Sequence, residues 1–230
     1  MAHAFGALRI VFNKLCKYYE RPTTSGSPER VLFPYPNGCF TDTGVIELTY
    51  HTRIDQSKLI FLATALNGAT VLVKFTQQYS EAAHQYCSRA GVAPALLGFQ
   101  SLPAGWYMVI MEYLEPETYR ILEPSDSSNN ELVAGIRQVV ETLHRGGFVH
   151  GDIRGVNILT RSQWTSSEGV QNVFLIDFDW AGHEGQAQYP PNINLTSVER
   201  AEGVEDGKLI QQAHDWFMVE QLFGALEIGS

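Results

Sequence analysis

Apolar positions recur with two different periods along this chain, and the change of period falls near its middle. In the first half they come as short runs. Residues 45–50 alternate and predict a strand. Residues 59–66 and 69–75 are apolar runs joined by Asn67 and Gly68, a pair that tolerates the positive φ of a tight hairpin turn. Residues 80–90 predict a short helix, with Ser80 as N-cap and Gly91 as its stop. Residues 96–99 and 106–113 predict two more strands, parted by a turn at Pro103, Ala104 and Gly105. Then the period lengthens. Leu132, Ile136, Val139, Val140 and Leu143 recur at helical spacing, and Gly146 and Gly147 end that helix.

After it, residues 148–149, 157–160 and 173–176 predict short strands, with a polar loop over 161–172. Residues 181–207 carry little periodicity, and a last helix is expected over about 214–226. At the other end, residues 4–19 mix apolar and basic side chains and predict a helix, and residues 21–43 are rich in Pro, Gly, Ser and Thr and read as an irregular arm. The polar, turn-rich segment 123–130 is a natural boundary. The expected organisation is therefore an N-terminal helix and arm (1–43), a strand-rich lobe (44–122) and a helix-rich lobe (123–230), an α+β chain with a cleft between lobes.

Composition narrows the function classes. The chain has 230 residues, enough for two lobes that share a cleft. A formal net charge of -9 argues against a general binder of nucleic acid or anionic membrane. No apolar run is long enough to span a bilayer, and the first residues do not read as a secretory signal. Arg9, Lys14 and Lys17 lie in an acid-free opening stretch, which an ordinary amphipathic helix explains. Cys16, Cys39 and Cys87 are odd in number and widely spaced, as expected for reduced thiols in an intracellular protein, cytoplasmic or nuclear.

The chemistry gathers in two stretches. Asp152 and Asn157 are five residues apart, between a predicted helix and a predicted strand. Such a loop can aim Asp152 at an incoming hydroxyl while Asn157 reaches a metal ion. Arg154 can neutralise charge on a transferring phosphoryl group. Asp177 follows the apolar strand 173–176, where a carboxylate suits magnesium that bridges two phosphates. Singly, each residue reads as a turn or cap residue. All four, in this order and on these elements, form the set that phosphoryl transfer from a nucleotide needs.

His150, Gly151, Asp152 and Asn157, followed by Asp177, Phe178 and Asp179, resemble the catalytic loop and metal-binding motif of the protein-kinase-like superfamily. Val73, Lys74 and Phe75 in a strand, Ala93, Pro94, Leu96 and Leu97 after a short helix, and Met111 and Glu112 make the chain look most like the kinase-like domains of filamentous fungi. The resemblance covers roughly residues 45–225. It implies a bilobal protein-kinase-like fold with a strand-rich N-lobe and a truncated helical C-lobe. It also implies roles. Asp152 would be the base, and Asn157, Asp177 and Asp179 would hold magnesium. Lys74 would anchor phosphate, paired with Glu81, the only acid between Lys74 and Glu112. His84, one turn on, is the alternative occupant beside Lys74, and a snorkelling edge lysine is the alternative for Lys74. Met111 would lie behind the adenine, with the carbonyl of Glu112 and the amide of Leu114 on the base edge. His150 and Asp215 would hold the catalytic loop.

Four departures qualify the resemblance. Residues 51–58 occupy the place of the phosphate loop without a glycine, so the close backbone approach that glycine permits is lost. Gly151 replaces the arginine common before the catalytic aspartate, which removes the usual link to a phosphorylated loop. Asp179 replaces a glycine, and with the short Lys74 to Glu81 interval it is similar to aminoglycoside and choline phosphotransferases. The sequence also stops at Ser230, near the first large C-lobe helix, so residues 1–43 or a partner would cover that surface unless the gene product is shortened. The expected function is an ATP- and magnesium-dependent phosphotransferase of protein Ser/Thr kinase type. The alternatives are a nucleotide-binding scaffold and a small-molecule kinase, with the acceptor unidentified.

Overall fold

Along residues 59–76 the chain turns back on itself because Asn67 and Gly68 close the turn. Gly68 has φ +85°, and Asn67 Oδ1 accepts from the Ala69 amide at 3.0 Å. The computed structural model describes residues 36–42, 44–55, 57–165 and 172–224. Its main sheet is antiparallel, with strands β1 (Gly38–Thr41), β2 (Gly44–Arg53), β3 (Leu59–Ala65), β4 (Thr70–Thr76), β5 (Leu96–Leu102) and β6 (Trp106–Glu112) in the order β1-β2-β3-β4-β6-β5. The central strands bury Val71, Val73, Phe75, Met108, Val109 and Ile110. Full burial of each such side chain is worth about 1.5–3 kcal/mol.

Helix α1 (Glu81–Arg89) starts where Ser80 accepts from the Ala83 amide, as an N-cap should. It buries Ala83, His84 and Cys87. The turn at 103–105 uses positive φ at Ala104 and Gly105.

The helical half is built on α2 (Asn130–Arg145), capped by Asn129, which accepts from the Glu131 and Leu132 amides. Leu132, Ile136, Val139, Val140 and Leu143 all point inward, as their spacing predicts. Strand β8 (Phe148–Val149) pairs with β11 (Gly182–His183), and β9 (Ile158–Arg161) pairs with β10 (Val173–Leu175). Helix α3 (Gln212–Gly224) adds Met218 and Val219 to the same core that holds α2, Phe178 and the inner face of α1.

Two boundaries differ from expectation. Residues 38–41, read as part of the arm, form β1, and Cys39 is fully buried. The strand is only four residues long and carries a glycine, so it shows no alternation. Residues 119–121 form β7 (Tyr119–Ile121), which pairs with β9 in the helical half. The crossing between halves therefore runs through residues 113–118, ahead of the boundary expected at 122/123. The expected helix at 4–19, most of the arm, and Cys16 lie outside the described residues. Cys39 and Cys87 are free and buried.

Candidate functional site

Asp215 organises the floor of the cleft. Its side chain is fully buried at the start of α3 and accepts from the backbone amides of His150 (2.7 Å) and Gly151 (2.8 Å) and from His144 Nε2 (3.0 Å). A turn that would otherwise leave buried N–H groups unpaired is thereby held in one shape. His150 Nε2 donates to the Ile176 carbonyl at 3.1 Å, which ties this loop to the strand before Asp177. Gly151 has φ +78°, and a Cβ there would meet Ile210 Cδ1 at 2.7 Å. The positive φ disfavours any residue with a Cβ there, and a side chain would also displace Ile210.

Asp152 is nearly buried and heavily engaged. Asn157 Nδ2 donates to its carboxylate at 2.8 Å and to its carbonyl at 2.9 Å. Arg154 binds it through Nε (2.8 Å) and Nη2 (2.7 Å). Arg200 Nη2 donates to Asp152 Oδ1 at 2.8 Å, and Nη1 reaches the Gly151 carbonyl at 3.2 Å. Burial alone would raise the Asp152 pKa, but Arg154 and Arg200 outweigh it and hold the carboxyl below its ordinary range. Arg200, whose side chain is only 3% exposed, lies over the Trp180 ring. It comes from the aperiodic segment, and its number alone offers no hint that it touches Asp152.

On the other wall, β4 carries Lys74 inward to 4% exposure. A lysine so buried needs anionic partners. It ion-pairs with Asp177 Oδ1, and with Asp179 Oδ1 at 2.6 Å. Lys58, from the β2–β3 connection, reaches Asp177 Oδ2 at 2.5 Å. Asp177 has φ +66°, unusual for a residue with a Cβ, so its backbone is held in a strained region where the ion pairs converge. Burial raises the Asp177 pKa, but Lys74 and Lys58 together take it well below the carboxylate range. Burial and the neighbouring Asp177 push Asp179 up to about 6 against the pull of Lys74.

The structure does not bring Glu81 to Lys74. Glu81 lies exposed in the first turn of α1, and the two ammonium partners come from residues 177 and 179. His84 takes the inward position. Its Nε2 donates to the Pro94 carbonyl at 2.9 Å, so Nδ1 accepts from the Tyr79 hydroxyl at 2.6 Å. It also stacks on Phe178 at 4.7 Å. Burial, with Lys74 nearby, lowers its pKa to about 4. His84 is thus a neutral strut between α1 and the Asp177 segment.

The cleft opens into a cavity of about 490 Å³. Met111, Glu112 and Leu114 line one end, and Lys58, Lys74, Asn157 and Asp177 line the other. Glu112 also uses its carboxylate to accept from the Ala95 amide at 3.1 Å. Among the described residues no three His, Cys, Asp or Glu side chains cluster as a self-sufficient metal cage. The donor set nevertheless suits magnesium, which is usually held by one or two carboxylates together with substrate phosphates. A lysine ammonium already stands at each Asp177 oxygen, so this position attracts cations.

A strand-rich half, a helical half and a cleft framed by Lys74, Asp152, Asn157 and Asp177 define a protein-kinase-like fold. No protein-family model matches the chain, and no curated protein matches it in sequence. Solved structures do match. The Cydia pomonella granulovirus kinase PK-1 is similar at TM-score 0.57 and 15% identity, over 77% of this chain and 69% of that one. The BubR1 kinase domain is similar at TM-score 0.56 and 14% identity, over 100% and 76%. Vaccinia related kinase 3 is similar at TM-score 0.54 and 16% identity, over 90% and 71%. At such identities the likeness speaks for the fold. No helix among the described residues is long and apolar enough to cross a membrane.

Proposed function

We propose that this chain is an ATP- and magnesium-dependent phosphotransferase with a hydroxyl acceptor, of protein Ser/Thr kinase type. The observation that carries the reading is the cavity that runs from Met111, Glu112 and Leu114 to Lys74, Asn157 and Asp177. One end offers an apolar slot and backbone groups for a base. The other offers two cations for phosphate, and Asp177 with Asn157 as oxygen ligands for a metal. Bound magnesium would neutralise phosphate charge and orient the terminal phosphoryl group. Asn157, Asp177 and Asp179 are the residues to hold it.

Asp152 accepts the acceptor's proton as its oxygen bonds to the terminal phosphorus, while the bond from that phosphorus to the bridging oxygen breaks and ADP leaves. Arg154 balances charge beside Asp152. Intracellular placement belongs to the same proposal and is supported by two buried, unpaired cysteines. So does kinship with the fungal kinase-like proteins and the aminoglycoside and choline phosphotransferases, supported by Gly151 and by Asp179 on Lys74. The kinase names of the similar structures support phosphoryl transfer and leave the acceptor open.

The test is transfer of labelled terminal phosphate from ATP to a panel of protein and small-molecule hydroxyls. Asp152→Asn is expected to lower the rate at least about a hundredfold, the usual scale for a general base. Equal rates from both proteins would remove Asp152 from this role.

A second reading is a nucleotide-binding scaffold without turnover. It is favoured by the simultaneous hold of Arg154 and Arg200 on Asp152. Thermal stabilisation by magnesium-ATP with no transfer to any acceptor would select it.

A further inference from the structure

Folds that cradle phosphate with a loop do so through free backbone N–H groups. The connection from β2 to β3 stands at that place here, and the amides of Ile54, Ser57 and Lys58 in it are already engaged. Asp55 Oδ1 accepts from the Ser57 amide (2.7 Å), the Ser57 hydroxyl (2.7 Å) and the Lys58 amide (3.2 Å). Arg53 Nε ties the turn to its own strand by donating to the carbonyls of Asp55 (2.8 Å) and Lys58 (3.0 Å). With no glycine, and with the Ile54, Ser57 and Lys58 amides engaged, the described residues of this tip leave little backbone N–H for a phosphate.

It offers a side chain instead. The same hydrogen bonds that close the turn fix the root of Lys58 at the cavity mouth, and its ammonium reaches Asp177. Lys58 and Lys74 thus flank one carboxylate from opposite sides. They differ in freedom, because the Lys74 side chain is 5% exposed and the Lys58 side chain 44%. The buried lysine is held in place, whereas the exposed one can swing on its four-carbon stem.

We propose that Lys58 replaces the missing phosphate loop and anchors the terminal phosphates of a nucleoside di- or triphosphate, exchanging its pair with Asp177 for one with phosphate oxygens. The inference rests on the nucleotide reading above. Charge balance favours the exchange. The unliganded cluster of Lys58, Lys74, Asp177 and Asp179 is already neutral. A divalent cation at Asp177 repels an ammonium there, and the phosphates that accompany it attract one.

Equilibrium binding of ATP, ADP and adenosine, with and without magnesium, tests this in wild type, Lys58→Met and Lys58→Arg. Lys58→Met is expected to weaken ATP and ADP about tenfold, the scale of one charge-assisted hydrogen bond, and to leave adenosine within about twofold. Lys58→Arg is expected to retain ATP binding within about threefold of wild type, since the charge is kept. Unchanged ATP affinity in Lys58→Met overturns the anchor while the nucleotide reading stands. Equal losses for ATP and adenosine overturn it too, because Lys58 then only shapes the tip. If wild type binds neither ATP nor adenosine, the nucleotide reading fails and the anchor fails with it.

Discussion

The floor and the roof of the cleft are held by different means. Under the cleft, Asp215 binds backbone amides of His150 and Gly151, and His150 binds the Ile176 carbonyl. Every one of these bonds is buried or nearly so, and main chain is one partner in each. Above the cleft, Lys58, Lys74, Asp177 and Asp179 meet through side chains alone. A floor clamped through its backbone accepts few residue types, because the geometry of the chain depends on them. A roof joined by side chains tolerates exchange, provided the charges still balance. The loop from Asp152 to Asn157 belongs to the clamped floor, whereas residues 57–58 and the partners of Lys74 belong to the roof, where side chains alone decide the pairing.

The contrast can be broken most severely at Asp215. Asp215→Ala leaves two buried amides and His144 without their acceptor and is expected to cost about 3–5 kcal/mol in urea unfolding. A loss under 1 kcal/mol would mean that the loop does not depend on it.

His84 sharpens the comparison through pH. It faces Tyr79, the Pro94 carbonyl, Phe178 and, more distantly, Lys74. Its pKa of about 4 in the fold lies below the ordinary value of 6.5, so the unfolded chain binds the proton more readily. Stability from this group is full above pH 6.5 and falls as pH drops through 4, by about 3 kcal/mol in all. In His84→Gln the difference in stability between pH 7.5 and pH 4 should shrink by roughly that amount. A variant with the wild-type pH dependence would assign the acid sensitivity elsewhere.

Under the proposed function Arg200 would be a positioning residue, since its contact is with Asp152. Arg200→Ala is expected to lower kcat about tenfold to a hundredfold while KM for ATP stays within about twofold. A parallel rise in KM would point to general damage to the cleft. The smallest effect belongs to Glu81. Because Glu81 is exposed and is not one of Lys74's ion-pair partners, Glu81→Gln should change unfolding stability by no more than about 0.5 kcal/mol and leave nucleotide binding unaltered. A loss of nucleotide affinity would show that α1 swings Glu81 inward on binding.

Much of this was legible along the chain. Asn67 and Gly68 announce the hairpin, Ser80 the start of α1, and the spacing from Leu132 to Leu143 the buried face of α2. Each depends on neighbours a few residues away. Strands β1 and β7 are not legible along the chain, because four and three residues are too few to show a period. Asp152, Asn157 and Asp177 stood out because their order and their apolar flanks are local. Lys74 was recognisable as a buried cation, yet its partner was not. Glu81 is near in sequence, but Asp177 and Asp179 are near in space.

Local steric and hydrogen-bonding preferences therefore specify the elements, the turns and the loop that presents Asp152. Partner choice among charges follows another rule. Coulomb attraction depends on distance through space and on burial, and both are properties of the folded chain. Lys58 and Lys74 on Asp177 and Arg200 on Asp152 all join residues from separate segments. Their pairing emerges when the sheet closes over the helical half and the desolvated charges must find one another.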